Sequence, residues 1–135
     1  MWAYRLIAPY QFEKIEAPDP REQQLGAGQV LLQFVAAGVC GSDLPAFRGA
    51  QGRLAGDDGA RAAEKLGFPI HEIVGDVIAS RHPLHQPGDR VVGWASGFDG
   101  LMEQVISDGD GLVAYDLALA PAQAVGLQPL ACVLY

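Results

Sequence analysis

The chain is short of the residues that mark several functional classes. Among 135 residues it has two cysteines, Cys40 and Cys132. Two thiols so far apart in sequence make no disulfide framework, and free thiols suit the cytosol. Basic residues number nine against sixteen acidic ones, a net charge of −7. With no Lys/Arg cluster, the chain lacks the electrostatic footprint of a nucleic-acid binder. No apolar run is long enough to span a bilayer. The start, "MWAYRLIAPY", lacks the basic region, apolar run and small-residue cleavage site of a signal peptide. These absences predict a cytoplasmic protein that binds neither nucleic acid nor membrane. A dinucleotide cradle is missing too. No G-x-G-x-x-G occurs, and "GAG" at Gly26 to Gly28 precedes a strand and lacks the third glycine.

What is present describes a folded domain. Half the residues are hydrophobic and 19% are charged, a balance that supports a core. The length suits one domain over residues 1–135. Seventeen glycines and nine prolines favour short strands and turns over long helices. "MWAYRLI" and "YQFEKIE" flank Pro9 as a hairpin-like start, and the polar "APDPREQQLGAGQ" reads as a loop. "QVLLQFVAAGVC" is a nearly continuous apolar strand of the kind buried on both faces. "IHEIVGDVIAS" is another strand, with Gly75 at a bulge or close-packing point. "GDRVVGWA", "LMEQVIS" and "GLVAY" supply three more, separated by turn residues. Helices are predicted at "DDGARAAEKLG", capped by Asp and ended by Gly67, and in the apolar C-terminus, broken by Pro121 and Pro129. No internal repeat is found. The predicted class is mainly β with small peripheral helices, forming a partly open barrel.

Three motifs carry candidate chemistry: "GVCGSD" (Gly38 to Asp43), "PIHEIVGDV" (Pro69 to Val77) with "GDRVVG" (Gly88 to Gly93), and "LQPLACVL" (Leu127 to Leu134). On residue type alone each has more than one reading. Cys40 is a metal ligand, a nucleophile or a small buried residue. Ser42 is a helix N-cap as readily as a proton relay, with Pro45 tolerated in the first turn. Asp43 is a turn former or a partner to histidine. His71 and Glu72 form a satisfied surface pair or part of a site. Trp94 is a packed aromatic or a pocket wall.

In order and spacing, the three motifs resemble the catalytic domain of the medium-chain zinc-dependent dehydrogenases, the family of alcohol, polyol and threonine dehydrogenases. The resemblance runs over essentially the whole chain, and it implies a GroES-like fold. It implies zinc held by Cys40 and His71, with the adjacent Glu72 near the metal or in its coordination. Asp43 then matches the carboxylate that orients the ligand histidine through its other ring nitrogen. Ser42 matches the hydroxyl that takes the substrate's proton, since a hydroxyl both donates and accepts.

The chain departs from the family pattern at defined places. Gln128 stands where such members commonly carry the Glu or Asp that serves as third zinc ligand, and a neutral amide binds zinc less well. Cys132, four residues on, would share a helix face with Gln128, either as a substitute thiolate or, favoured by cysteine's usual burial, as a buried helix residue. Glu72 is the other candidate to close the coordination sphere. Ile70 fills the usual glycine position before the His-Glu pair, and Pro45 replaces a frequent histidine. "AQGRLAGDDGARAAEK" lengthens the Cys40–His71 interval and reads as a surface insertion near the site mouth.

The resemblance implies the catalytic, zinc- and substrate-binding part of an NAD(P)-dependent oxidoreductase acting on a small alcohol or polyol. A nucleotide-binding Rossmann domain, absent from these residues, would be its partner, and the complete enzyme admits a homo-oligomer. Alone, the domain is expected to be inactive. Two rivals stand beside it. One is a zinc-independent quinone or enoyl reductase of the same superfamily, favoured by Gln128 and Ile70. The other is a stand-alone GroES-like binding or assembly module. For the fragment, the apolar C-terminus is expected to expose apolar surface.

Overall fold

Apolar strand-formers separated by Gly, Asp and Ser turns set the order of elements. The computed structural model describes residues 1–49 and 65–134. Strands β1 (Trp2–Ala8) and β2 (Gln11–Glu16) form an antiparallel hairpin, with Tyr10 at φ 64° in its turn. A second, five-stranded antiparallel sheet contains β3 (Gln29–Gly38), β4 (Glu72–Ser80), β5 (Arg90–Trp94), β6 (Gln104–Asp108) and β7 (Leu112–Ala114). Its spatial order is β6-β3-β4-β5-β7. Among the described residues, three short α-helices lie outside the sheets: α1 (Asp43–Phe47), α2 (Pro121–Ala124) and α3 (Leu127–Leu134). The architecture is mainly β, two antiparallel sheets with small helices, as a GroES-like domain requires.

The central strands are the most apolar because both their faces are covered. Val30 and Leu32 of β3 pack with Ile73 and Val77 of β4, Val91 of β5, Val105 of β6 and Leu112 of β7 in one core cluster. A second cluster, Val74, Val92 and Ala124, brings α2 against the other face. Gly75 has the close-packing role read from its position: a β-carbon there would lie 3.0 Å from Leu32 Cβ. The neighbouring bulge belongs to β3, where the register shifts between Phe34, paired with Gly75, and Ala36, paired with Val74.

Of the two helix expectations, one lies mostly outside the described residues and the other needs correction. Most of the helix expected at 57–67 lies outside the described residues, and at its end Leu66 instead bridges to Arg5. Gly67 adopts φ +73° within a turn and does not end a helix. At the C-terminus, neither proline makes the break. Pro121 opens α2 and Pro129 sits in the first turn of α3, the positions where a missing N–H costs nothing. The break falls at Val125 and Gly126, between the helices. Exposed apolar surface there is as expected, with Leu130, Val133 and Leu134 at 51%, 82% and 75% exposure. Among the described residues, no helix is long and apolar enough to cross a membrane.

Candidate metal centre

Strand register brings the motifs to one corner. Gly38 pairs with Glu72, and Glu72 pairs with Trp94, so the ends of β3, β4 and β5 lie side by side. Cys40 stands two residues beyond Gly38 and His71 one residue before Glu72, which closes a long sequence gap. The donor atoms of Cys40, His71 and Glu72 all lie within 4.8 Å of one another. His71 and Glu72 are buried and Cys40 is half-buried. Gly38 makes room for them: a β-carbon there would sit 2.6 Å from Glu72 Oε2. Thiolate, imidazole and carboxylate are a donor set that suits zinc.

Asp43 opens α1 and is buried. Its Oδ2 accepts the Cys40 backbone N–H at 2.8 Å, which anchors the turn carrying the thiol. Its Oδ1 lies 2.8 Å from His71 Nδ1, a direct contact although the N–H does not line up as a straight hydrogen bond. Burial pushes the Asp43 carboxyl above its ordinary range, and the Cys40 N–H and His71 pull against that rise. With Nδ1 turned to Asp43, the Nε2 lone pair of His71 is left for a ligand.

Aromatic rings wall the imidazole. Trp94 lies 4.7 Å from the His71 ring and Phe98 lies 5.0 Å from it. Trp94 is both things its sequence position allowed: it packs on His71, and it lines a cavity of about 360 Å³ with Val92, Val113, Leu127, Gln128 and Cys132. Phe98 escaped the sequence reading. It reaches the site from a left-handed backbone, φ 55°, rare for a bulky residue. Ser107 holds that loop, donating from Oγ to the Trp94 carbonyl at 2.6 Å and accepting the Ser96 N–H at 3.0 Å. Neither signal is visible in a local motif.

Ser42 occupies the N-cap position of α1, but its hydroxyl makes no capping bond and is exposed. A helical backbone there (φ −71°, ψ −21°) turns it away from cap geometry. Ile70 is buried, and its backbone is not left-handed. Gln128 is buried as well, 6% exposed, at the edge of the cluster. Cys132 shares its face as the helical spacing required, since the amide of Gln128 comes within 3.5 Å of Cys132 Sγ. The favoured reading of Cys132 as buried is overturned, because its turn of α3 faces outward and the thiol is exposed.

The alcohol dehydrogenase GroES-like domain family matches residues 26–125. An NAD-dependent alcohol dehydrogenase of Sulfurisphaera tokodaii is 36% identical over 100 residues, 72% of this chain and 25% of that protein. One from Saccharolobus solfataricus is 34% identical over the same shares. The chain thus spans about a quarter of the length of the curated relatives it matches. Among solved structures, the quinone oxidoreductase of Thermus thermophilus superposes with a TM-score of 0.65 at 25% identity, over 93% of this chain and 36% of that one.

Proposed function

The chain belongs to the alcohol dehydrogenase GroES-like domain family, and from that premise we propose that residues 1–135 form the zinc- and substrate-binding catalytic domain of an NAD(P)-dependent oxidoreductase. The substrate class is a small alcohol or polyol. The convergence of Cys40, His71 and Glu72 within 4.8 Å carries the reading.

Cys40 as thiolate, His71 through Nε2 and Glu72 would hold the metal. Bound there, zinc supplies Lewis acidity toward a substrate oxygen. Asp43 keeps the proton of His71 on Nδ1 and fixes the ring's direction. Trp94 and Phe98, whose rings are 5.8 Å apart, pack on one side of the imidazole and shield it there from water. Ser42, exposed one residue before Asp43, accepts the proton of the substrate hydroxyl and passes it to solvent. A nicotinamide held by another domain would accept the hydride, one proton and two electrons, from the carbon that bears this hydroxyl, and the hydroxyl proton would go to the medium. A nucleotide-binding domain would have to present that nicotinamide, in a cytoplasmic complete enzyme.

Metal analysis tests this. Protein purified without chelator is expected to carry about one zinc per chain, lost in Cys40→Ser. A folded protein without zinc overturns the reading. One observation favours a second reading, a zinc-independent reductase: Gln128 puts an amide where a carboxylate would serve as third ligand, in a chain similar to a quinone oxidoreductase. Reduction of a quinone by the complete protein with bound metal removed would support it.

A further inference from the structure

The buried amide of Gln128 sits between two groups that dictate its orientation. A carboxylate only accepts, and an indole N–H only donates. The amide nitrogen therefore faces Glu72, donating to Oε1 at 2.9 Å, and the amide oxygen accepts the indole N–H of Trp94. Trp94 in turn lies on the ring of His71. One side chain thus joins the two donors of β4 to the end of β5, through a residue on α3.

We propose that Gln128 is a positioning residue, which holds the Glu72 carboxylate in the metal-binding set and does not itself ligate. The inference rests on the metal reading above. Three features support it. An amide oxygen committed to the Trp94 N–H is turned away from Glu72, and rotating it toward a metal would leave two N–H groups, the amide's and the indole's, facing one another. A carboxylate held by a hydrogen bond from a buried amide is fixed in direction. The donor set is then one thiol, one imidazole and one carboxylate, from Cys40, His71 and Glu72. A Glu at 128 would instead set two carboxylates edge to edge and remove the donor that holds one of them.

The test is a double-mutant cycle read by Co²⁺ binding, with affinity from chelator competition and the visible spectrum as a report on geometry. Gln128→Leu is expected to weaken Co²⁺ binding about 10- to 100-fold and to reshape the d–d bands while the thiolate-to-cobalt band of Cys40 persists. Glu72→Gln weakens it at least as much. The double variant is expected to match Glu72→Gln alone, because Gln128 acts through Glu72. Trp94→Phe, which keeps a ring on His71 but frees the amide oxygen, should lose affinity in the same direction by a smaller factor. Thermal unfolding of the metal-free variants checks that each is folded; if Gln128→Leu is not, Trp94→Phe and Gln128→Asn carry the cycle. Losses that add in the double variant overturn the proposal in favour of direct ligation. An unchanged affinity and spectrum in Gln128→Leu overturns it in favour of a packing role. Wild-type protein that takes up no Co²⁺ overturns the metal reading itself, which separates the two failures.

Discussion

A histidine–carboxylate pair flanks strand β4 at each end, and the two pairs, alike in spacing and in a buried histidine, differ in the exposure of the carboxylate and in what the second ring nitrogen meets. At its start, His71 Nδ1 lies 2.8 Å from Asp43, with both side chains 3% exposed. Beyond its other end, His82 Nε2 lies 3.0 Å from Asp110, whose side chain is 98% exposed. The His82 ring uses its second nitrogen as well, since Nδ1 accepts the Leu84 N–H at 3.2 Å. It stacks on His85, which bonds the Gly109 carbonyl through Nε2. Both rings there tie down a turn. At the first corner the second nitrogen of His71 is left over, and a thiol and a carboxylate come to meet it. A histidine beside an aspartate is therefore not a metal site; a spare nitrogen with converging donors is.

The strongest way to break that contrast is to remove each ring. His71→Asn is expected to abolish stoichiometric zinc, about 100-fold weaker binding or more, while His82→Asn leaves zinc content unchanged by elemental mass spectrometry. Equal loss from both would make the corners equivalent. Next come the carboxylates. Asp43→Asn should weaken zinc about 10- to 100-fold, and Asp110→Asn should change neither zinc affinity nor melting temperature measurably, because an exposed pair contributes little.

Glycines sharpen the comparison further. A β-carbon at Gly38 meets Glu72 Oε2 at 2.6 Å, and one at Gly109 meets His82 Cγ at 2.5 Å. Gly38→Ala should displace a carboxylate and lower zinc affinity about tenfold, as other disturbances of ligand orientation do. Gly109→Ala should push against a rigid ring and cost about 1–3 kcal/mol of stability with zinc binding intact. Denaturant unfolding and metal competition, run on both variants, separate the two outcomes.

Between the corners, Arg90 donates twice to Asp76, at 2.6 and 2.9 Å. That hydrogen bonding lowers the Asp76 pKa, against a smaller opposing effect of burial. A depressed folded pKa means the unfolded chain binds more protons. The contribution is present above the ordinary Asp range of about 3.9 and is lost as pH falls through the lower folded value. The pair is a third exposed, so its worth is under about 1 kcal/mol. Asp76→Asn should flatten the acid limb of the stability–pH curve slightly and leave zinc content alone; an unchanged acid limb would remove Asp76 from the account.

Much of this contrast was legible before any fold was known. The apolar run of β3 and the Gly/Asp-punctuated strands after it carry their own periodicity, which survives in the sheet. Cys40, Asp43, His71 and Glu72 sit inside short motifs, so they were identifiable as candidates. Cys132 and Ser42 were read less well because burial and cap geometry depend on what a helix packs against, not on its spacing. Phe98 and Ser107 lie in no motif. Gln128 was legible only as a departure, an amide where a carboxylate was expected.

Side-chain chemistry and local pattern, which are properties of neighbours along the chain, determined the strands, the β class and the list of donors. The tertiary structure decided which donors meet. The Gly38–Glu72–Trp94 register closes the gap between Cys40 and His71, and α3 swings Gln128 between Glu72 and Trp94. Those contacts join residues far apart in sequence. Their geometry comes from strand pairing and packing over the whole domain, and no short stretch of the chain contains it.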